Sequence, residues 1–217
     1  MIKAVVFDFD GLILDTETPW YDAYRAVFAE EGGELPLEEW AKGIGTTFGI
    51  YDPFAYLERQ TGRAVDRLAI QNRTRVFYDR YVSELHIRPG VQDYLEEAQA
   101  LGLRIGLSSS STREWVEGYL SQYGLLGYFE AISTSDDVDQ VKPDPALYLR
   151  TMRLLGVAGD QSLAFEDSLN GLRAALAAGM HAVVVPNPVT AQLAFEGHRY
   201  MLADMTELSL AELLKKL

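Results

Sequence analysis

The sequence predicts an α/β protein: a doubly wound, Rossmann-like parallel sheet interrupted once, after its first strand, by an all-helical cap. Three observations carry this. Ala4-Val5-Val6-Phe7 is an unbroken apolar, mostly β-branched run, the pattern of a strand buried on both faces. From Pro89-Gly90 onward, short apolar strands alternate with amphipathic helices, as a parallel sheet covered on both sides requires. Between them, from Asp15 to Leu85, no stretch reads as a strand. The expected division is a core of residues 1–14 and 86–217 and a cap of residues 15–85.

The first strand runs into Asp8-Phe9-Asp10-Gly11, two carboxylates two residues apart where Gly11 permits a sharp turn. In the cap, Thr18 is placed to cap a helix with Pro19 at its first position. Trp20, Ala23, Tyr24, Val27 and Phe28 fall on one face, and Gly32-Gly33 ends it. Pro36 to Gly43 suggests a second, short helix. Asp52 caps a third, with Phe54 and Leu57 inward and Gly62 as the stop. A fourth runs from about Asp66 to Ser83, with Leu68, Val76, Phe77 and Tyr81 as its apolar residues. The aromatic residues of this insert read as the core of a helix bundle.

After Pro89-Gly90 the alternation is regular. Val91, Tyr94, Leu95, Ala98 and Leu101 mark a helix, Leu103 to Leu107 a strand, and Ser108 to Thr112 a polar run after it. Trp115, Val116, Tyr119, Leu120 and Tyr123 mark the next helix, and Ala131 to Thr134 the next strand. An acidic loop with Asp136, Asp137 and Asp139 follows and reads as solvated. Lys142-Pro143-Asp144-Pro145 opens a helix that stops at Gly156. Ser162 to Phe165 is a strand ending in Glu166-Asp167-Ser168, followed by a helix with Leu172, Ala175 and Leu176. His181 to Val185 is a strand ending at Pro186-Asn187-Pro188. A last strand at Tyr200 to Ala203 and a helix from Leu208 to Leu217 close the chain.

Composition narrows the function. The 217 residues are 48% apolar and 24% charged, with a net charge of −13 and a pI near 4.6. That balance disfavours nucleic acids and anionic membranes, which call for basic surfaces. An anionic substrate would need local positive charge from a side chain or a metal ion. With no cysteine, the chain has no disulfide, thiol nucleophile or zinc–thiolate site. No stretch is long and apolar enough to span a membrane, and the chain enters a strand at once. The expectation is a cytoplasmic monomer or weak dimer.

Four strand ends carry polar groups, and in a parallel sheet those ends share one edge. They bear Asp8 and Asp10, the serine run, Lys142 and the Glu166-Asp167 pair. Each alone has a plain structural explanation as a helix cap or solvated loop; their joint placement does not.

Order and spacing resemble the haloacid dehalogenase-like superfamily over almost the whole chain. The matching motifs are Asp8-Phe9-Asp10-Gly11 with Asp15-Thr16, a serine placed at Ser109, Lys142 in Val-Lys-Pro-Asp-Pro, and Phe165-Glu166-Asp167-Ser168-Leu169-Asn170-Gly171. The inserted cap is similar to the small helical cap of the β-phosphoglucomutase-like branch. The resemblance implies a phosphatase acting on a small phosphorylated metabolite, such as a sugar or polyol phosphate, with Mg²⁺ as cofactor. It implies Asp8 as nucleophile and metal ligand, and Asp10 as proton shuttle that also offers its backbone carbonyl to the metal. Asp167 would be a further ligand and Glu166 would hold a water on the metal. Lys142 would sit against Asp8 and the phosphoryl group, with Ser109 and the Ser110 N–H on its other oxygens.

The chemistry stands without the family name. A phosphate monoester repels anionic nucleophiles, so positive charge must offset it. A carboxylate is already ionised at neutral pH and needs no separate base. A second acid can protonate the leaving alkoxide and later activate water. Dehalogenases of the superfamily lack that second acid, so Asp10 favours phosphoryl transfer. The alternative is a phosphosugar mutase. The mutase carries a cap His shortly after the Asp-Thr pair and an Arg near the second cap helix. Here those neighbourhoods read Asp15-Thr16-Glu17-Thr18-Pro19-Trp20 and Gly43-Ile44-Gly45-Thr46-Thr47-Phe48, with neither. Trp20 and Phe48 would make a more apolar pocket mouth, and Arg73 and Arg75 are the cap cations placed to meet a second anionic group.

Overall fold

A computed structural model describes residues 1–44, 51–82 and 85–217, with Tyr81 and Val82 described by backbone only. Gly45 to Phe48 and Ser83, named above, lie outside the described residues, as does the side chain of Tyr81.

Among the described residues, six parallel strands form one sheet: β1 (Ala4–Phe7), β2 (Arg104–Ser108), β3 (Ala131–Ser133), β4 (Ser162–Glu166), β5 (His181–Val184) and β6 (Tyr200–Met201), in the order β3-β2-β1-β4-β5-β6. β1 lies between β2 and β4, with Phe7 opposite both Leu107 and Phe165. Its side chains alternate between two cores. Val5 and Phe7 join Leu95, Leu107, Val116 and Phe165 on one face; Ala4 and Val6 join Tyr148, Met152, Leu172 and Ala175 on the other. Burial on both faces is why β1 reads as a continuous apolar run. The chain crosses from one side of β1 to the other between β3 and β4, so the carboxyl ends of β1 and β4 border a topological switch point.

The cap holds α1 (Glu17–Glu30), α2 (Leu37–Trp40), α3 (Pro53–Thr61) and α4 (Arg67–Val82). Tyr24, Val27, Phe28, Trp40, Phe54, Leu57 and Ile70 bury one another in a third cluster. The same cluster takes in Val189 of the core, so the cap is also packed onto the segment after β5. The cap is joined to the core where Leu14 bridges Ile87 and Arg88 N–H donates to Ile13 C=O at 2.9 Å.

Two cap expectations need correction. Helix α1 starts at Glu17, so Thr18 is inside it; Asp15 is the capping acceptor, taking Thr18 N–H at 3.1 Å and Thr18 Oγ1–H at 2.8 Å. Pro19 then falls in the first turn, where a missing N–H costs no helical bond. In α4 the buried face differs from the expected one: Leu68 and Val76 are 66% and 56% exposed, whereas Ile70, Thr74 and Tyr78, at i, i+4 and i+8, are buried. Asp52 does cap α3, accepting from Phe54 N–H and Ala55 N–H, and Gly62 ends it in the left-handed region.

In the core, α5 (Val91–Ala100), α6 (Arg113–Gln122), α7 (Ala146–Leu155), α8 (Leu169–Ala177) and α9 (Leu210–Leu214) fall where expected within a few residues. The acidic loop is not simply solvated. Asp137 pairs with Arg113 at 2.6 Å and Arg150 at 2.9 Å and closes a capping box with Thr134. Among the described residues no helix is long and apolar enough to cross a membrane.

Candidate active site

The carboxyl edge of the sheet gathers all the predicted residues. Asp8, Asp10, Ser109 and Ser110 line a cleft of about 410 Å³, roofed by Glu17, Trp20, Trp40 and Tyr51 of the cap. Lys142, Glu166 and Asp167 lie buried beneath.

Lys142, on the loop before α7, is 1% exposed. Its Nζ donates to Asp8 Oδ1 and, at 2.7 Å, to Glu166 Oε1. Burial alone would lower its pKa; the two carboxylates overcome that and hold the ammonium well above its ordinary range. Glu166 also accepts from Tyr148 Oη–H and, at 3.4 Å, from Ser168 Oγ–H. Gly171 makes room for it: a Cβ there would stand 2.0 Å from Glu166 Oε2. Burial, with the charges of Glu166 and Asp10, pushes Asp8 above the usual carboxylate range against the pull of Lys142.

Asp8, Glu166 and Asp167 bring carboxylate oxygens within 4.8 Å of one another. Asp167 Oδ2 accepts from Asn187 Nδ2 at 2.7 Å, while its Oδ1 is buried with no partner among the described residues. Burial, Asp8 and Glu166 drive the Asp167 carboxyl well above its ordinary value. An orphaned oxygen among repelling acids fits a cation, and a donor set of oxygens alone favours a hard one such as Mg²⁺. Gly11, at φ +80°, keeps this space open, since a Cβ would meet Asp167 Oδ2 at 2.2 Å.

Asp10 is held differently. Its Oδ1 accepts from Thr16 Oγ1–H and Trp115 Nε1–H, both at 2.9 Å. Its Oδ2 accepts from Ser111 Oγ–H at 2.6 Å and Ser109 Oγ–H at 3.4 Å. Ser109 Oγ in turn accepts Ser111 N–H at 3.0 Å.

The haloacid dehalogenase-like hydrolase family model matches residues 5–185, and the site above occupies the strand ends within that match. The chain belongs to the haloacid dehalogenase-like hydrolases. It is 49% identical over 217 residues to YhcW of Bacillus subtilis (strain 168), spanning 100% of this chain and 98% of that one. It is 32% identical over 217 residues to hexitol phosphatase B of Escherichia coli (strain K12), spanning 99% and 96%. Among solved structures, CbbY of Rhodobacter sphaeroides in complex with xylulose-(1,5)-bisphosphate superposes with a TM-score of 0.77 at 30% identity, covering 98% and 99%.

Several residues of this hydrolase site escaped sequence reading. Asn187 follows β5 between two prolines, a position that marked it; its Oδ1 accepts Val189 N–H at 2.9 Å and Thr190 N–H at 3.0 Å, which fixes Nδ2 toward Asp167. Arg88 lies under the Gly11 turn and donates to the carbonyls of Gly11 (2.5 Å), Val185 (3.1 Å) and Pro186 (2.7 Å). Trp115 read as helix core by period, and nothing local separated it from that core; Tyr148 fell inside the helix expected before Gly156 and was not singled out. Of the cap arginines, Arg75 lines the cleft and pairs with Asp79 at 2.7 Å; Arg73 is turned to Glu30 and Glu31 and does not line it.

Glu17, the first residue of α1, brings a further carboxyl to the cleft. Burial and the charges of Asp10, Asp8 and Asp15 push it up to about 8. Among the described residues, Trp40 Nε1 and Tyr51 Oη are buried without partners, and both residues line the same space.

Proposed function

We propose that this protein is a Mg²⁺-dependent phosphatase of a small phosphorylated metabolite, a sugar or polyol phosphate, working through an aspartyl-phosphate at Asp8. The observation that carries this is the pairing of Asp8, facing the cleft with Lys142 against it, with Asp10 two residues on in the same cleft.

The chain's own groups divide the work. Asp8 attacks phosphorus as the ester P–O bond breaks, and Asp10 gives the leaving oxygen its proton. Water then attacks the phosphorus, Asp10 takes a proton from it, and the bond to Asp8 breaks to release inorganic phosphate. Lys142 holds the charge of Asp8 before attack and faces the phosphoryl group after it. Glu166 and Tyr148 fix Lys142 in place. Ser109 and the Ser110 N–H supply donors to the remaining phosphoryl oxygens. Asp8, Asp167 and the Asp10 carbonyl would hold Mg²⁺, with Glu166 beside them; when bound, the ion supplies positive charge to the phosphoryl oxygens.

The roof supports a hydroxylated leaving group. Trp40 Nε1–H and Tyr51 Oη offer donors, Glu17 an acceptor, and Trp20 an apolar wall. The names of hexitol phosphatase B and of the CbbY complex point to the same class. Trp20, near where the mutase carries its cap histidine, stacks on Tyr78 at 3.9 Å, which argues against the mutase reading.

The test is phosphate release from a panel of sugar and polyol phosphates, with Mg²⁺ and with chelator, for the native chain and Asp8→Asn. Metal-dependent turnover that falls at least about 10⁴-fold in the variant is expected. Turnover indifferent to chelator, or retained by Asp8→Asn, would refute the reading.

A further inference from the structure

A carboxylate offers about four lone-pair positions, and among the described residues Asp10 has four donors around it. To carry a proton it must give one donor up while keeping its orientation. Three of the donors are hydroxyls, which rotate freely to other acceptors. Ser109 makes the longest contact, 3.4 Å, and is the group that turns to a phosphoryl oxygen. The fourth is an indole N–H, which only donates and swings only with its whole ring.

That ring is clamped. Trp115 sits in the first turn of α6, whose N-cap Thr112 takes Trp115 N–H at 3.4 Å. It packs edge-on against Tyr119 of the core, centroids 4.8 Å apart at 70°. From the cap, Tyr78 approaches to 6.3 Å. Tyr119 in turn lies 6.4 Å from Phe9, the residue between the two catalytic aspartates. The donor is therefore fixed from both domains.

We propose that Trp115 is the positioning residue for Asp10: its indole N–H holds Oδ1 and so aims Oδ2 at the leaving oxygen when Ser109 turns away. The inference rests on the reading of Asp10 as proton shuttle given above.

Trp115→Phe keeps a ring and removes the donor. Trp115→Met, which fills the space with a flexible apolar chain, is the second variant should the first fail to fold. For each, kcat/KM is measured on phosphate monoesters whose leaving groups run from nitrophenol to an aliphatic alcohol. That parameter covers the steps through ester cleavage and excludes attack of water on the aspartyl-phosphate. Nitrophenolate leaves with little help from an acid, whereas an alkoxide needs the proton, and such catalysis is worth about 10²- to 10⁴-fold in all. The loss should grow along the series, from about threefold for the aryl ester to about thirtyfold for the alkyl ester. A loss of equal factor on every ester, with unchanged thermal unfolding, would overturn the proposal and mark Trp115 as packing alone. If the native chain hydrolyses none of the esters, the phosphatase reading itself fails, a distinct outcome from a flat loss.

Discussion

The two walls of the cleft are built on opposite terms. On the core side the polar groups are held by fixed partners: Lys142 against Asp8 and Glu166, Asn187 against one oxygen of Asp167, four donors around Asp10; among the described residues Asp167 Oδ1 alone is left over there, and it faces the acids that would hold a cation. On the cap side the polar tips are left over: among the described residues Trp40 Nε1 and Tyr51 Oη have no partner, and Glu17 is crowded by like charge. A wall whose groups are fixed by the protein, with a single oxygen left for a cation, suits chemistry that does not change with the substrate. A wall with unspent donors and acceptors suits recognition of whatever is bound. The contrast fits a shared reaction with a variable leaving group.

The sharpest way to break that contrast is to empty the core wall of its cation. Lys142→Met preserves much of the stem and deletes the ammonium, which lies 5.1 Å from the centroid of the Tyr148 ring. Asp8 and Glu166 then face each other buried and unpaired, a loss of about 3–5 kcal/mol. Urea unfolding at pH 7.5 in chelator should show that deficit, shrinking as the pH is lowered and Asp8, whose carboxyl burial already raises, takes up a proton. A deficit below about 1 kcal/mol would mean that the core wall is not held by this cation.

On the cap side, Glu17 gives a pH signature of known sign. Its carboxyl is raised in the folded chain to about 8 from an ordinary 4.5. Between those values the folded state binds more protons than the unfolded one, so stability falls as pH rises. The contribution is complete below about 4.5 and is lost as pH climbs through 8. A neutral amide at this position has no such dependence. The melting temperature of Glu17→Gln relative to the native chain should therefore climb from pH 5 to pH 8.5 in chelator. The free energy behind it should be about 1–2 kcal/mol, less than the whole shift implies because Glu17 is only half-buried. A difference flat with pH would show that Glu17 is not crowded by Asp8 and Asp10.

The core wall was legible because its chemistry is written in short, contiguous runs at strand ends. Asp8-Phe9-Asp10-Gly11 and Glu166-Asp167 each follow an unbroken apolar strand, and a parallel sheet gathers such ends at one edge. The supporting groups were not legible. Trp115 and Tyr148 lie at helical spacing within amphipathic helices, where period alone assigns them to the core, and what distinguishes them is a polar tip aimed across the sheet edge. Arg88 acts through three carbonyls from two loops remote in sequence, a relation that no local pattern encodes. In α4 the apolar residues pointed the wrong way because Thr74 and Tyr78 bury polar side chains while Leu68 and Val76 face water. The roof is the least legible, since its residues meet only when α1, α2 and the segment at Tyr51 fold over the core.

The smallest expected effect is also the most direct probe of the cap wall. Tyr51 Oη is buried without a partner among the described residues, held over the cleft by a ring that lies against Gly43, where a Cβ would come within 2.8 Å of it. Leaving a hydroxyl unsatisfied carries a desolvation penalty of about 1–3 kcal/mol. Tyr51→Phe removes the hydroxyl and keeps the ring, so the free protein should be equally stable or more stable by up to about 1 kcal/mol. The same change should raise KM for the hydroxylated substrate by about threefold to tenfold, one neutral hydrogen bond's worth, with kcat little altered. Stability and affinity then move in opposite directions, which a packing residue would not produce. A variant that is less stable and binds as well as the native chain would show that the hydroxyl is satisfied within the protein, and that the cap wall holds no spare donor at this position.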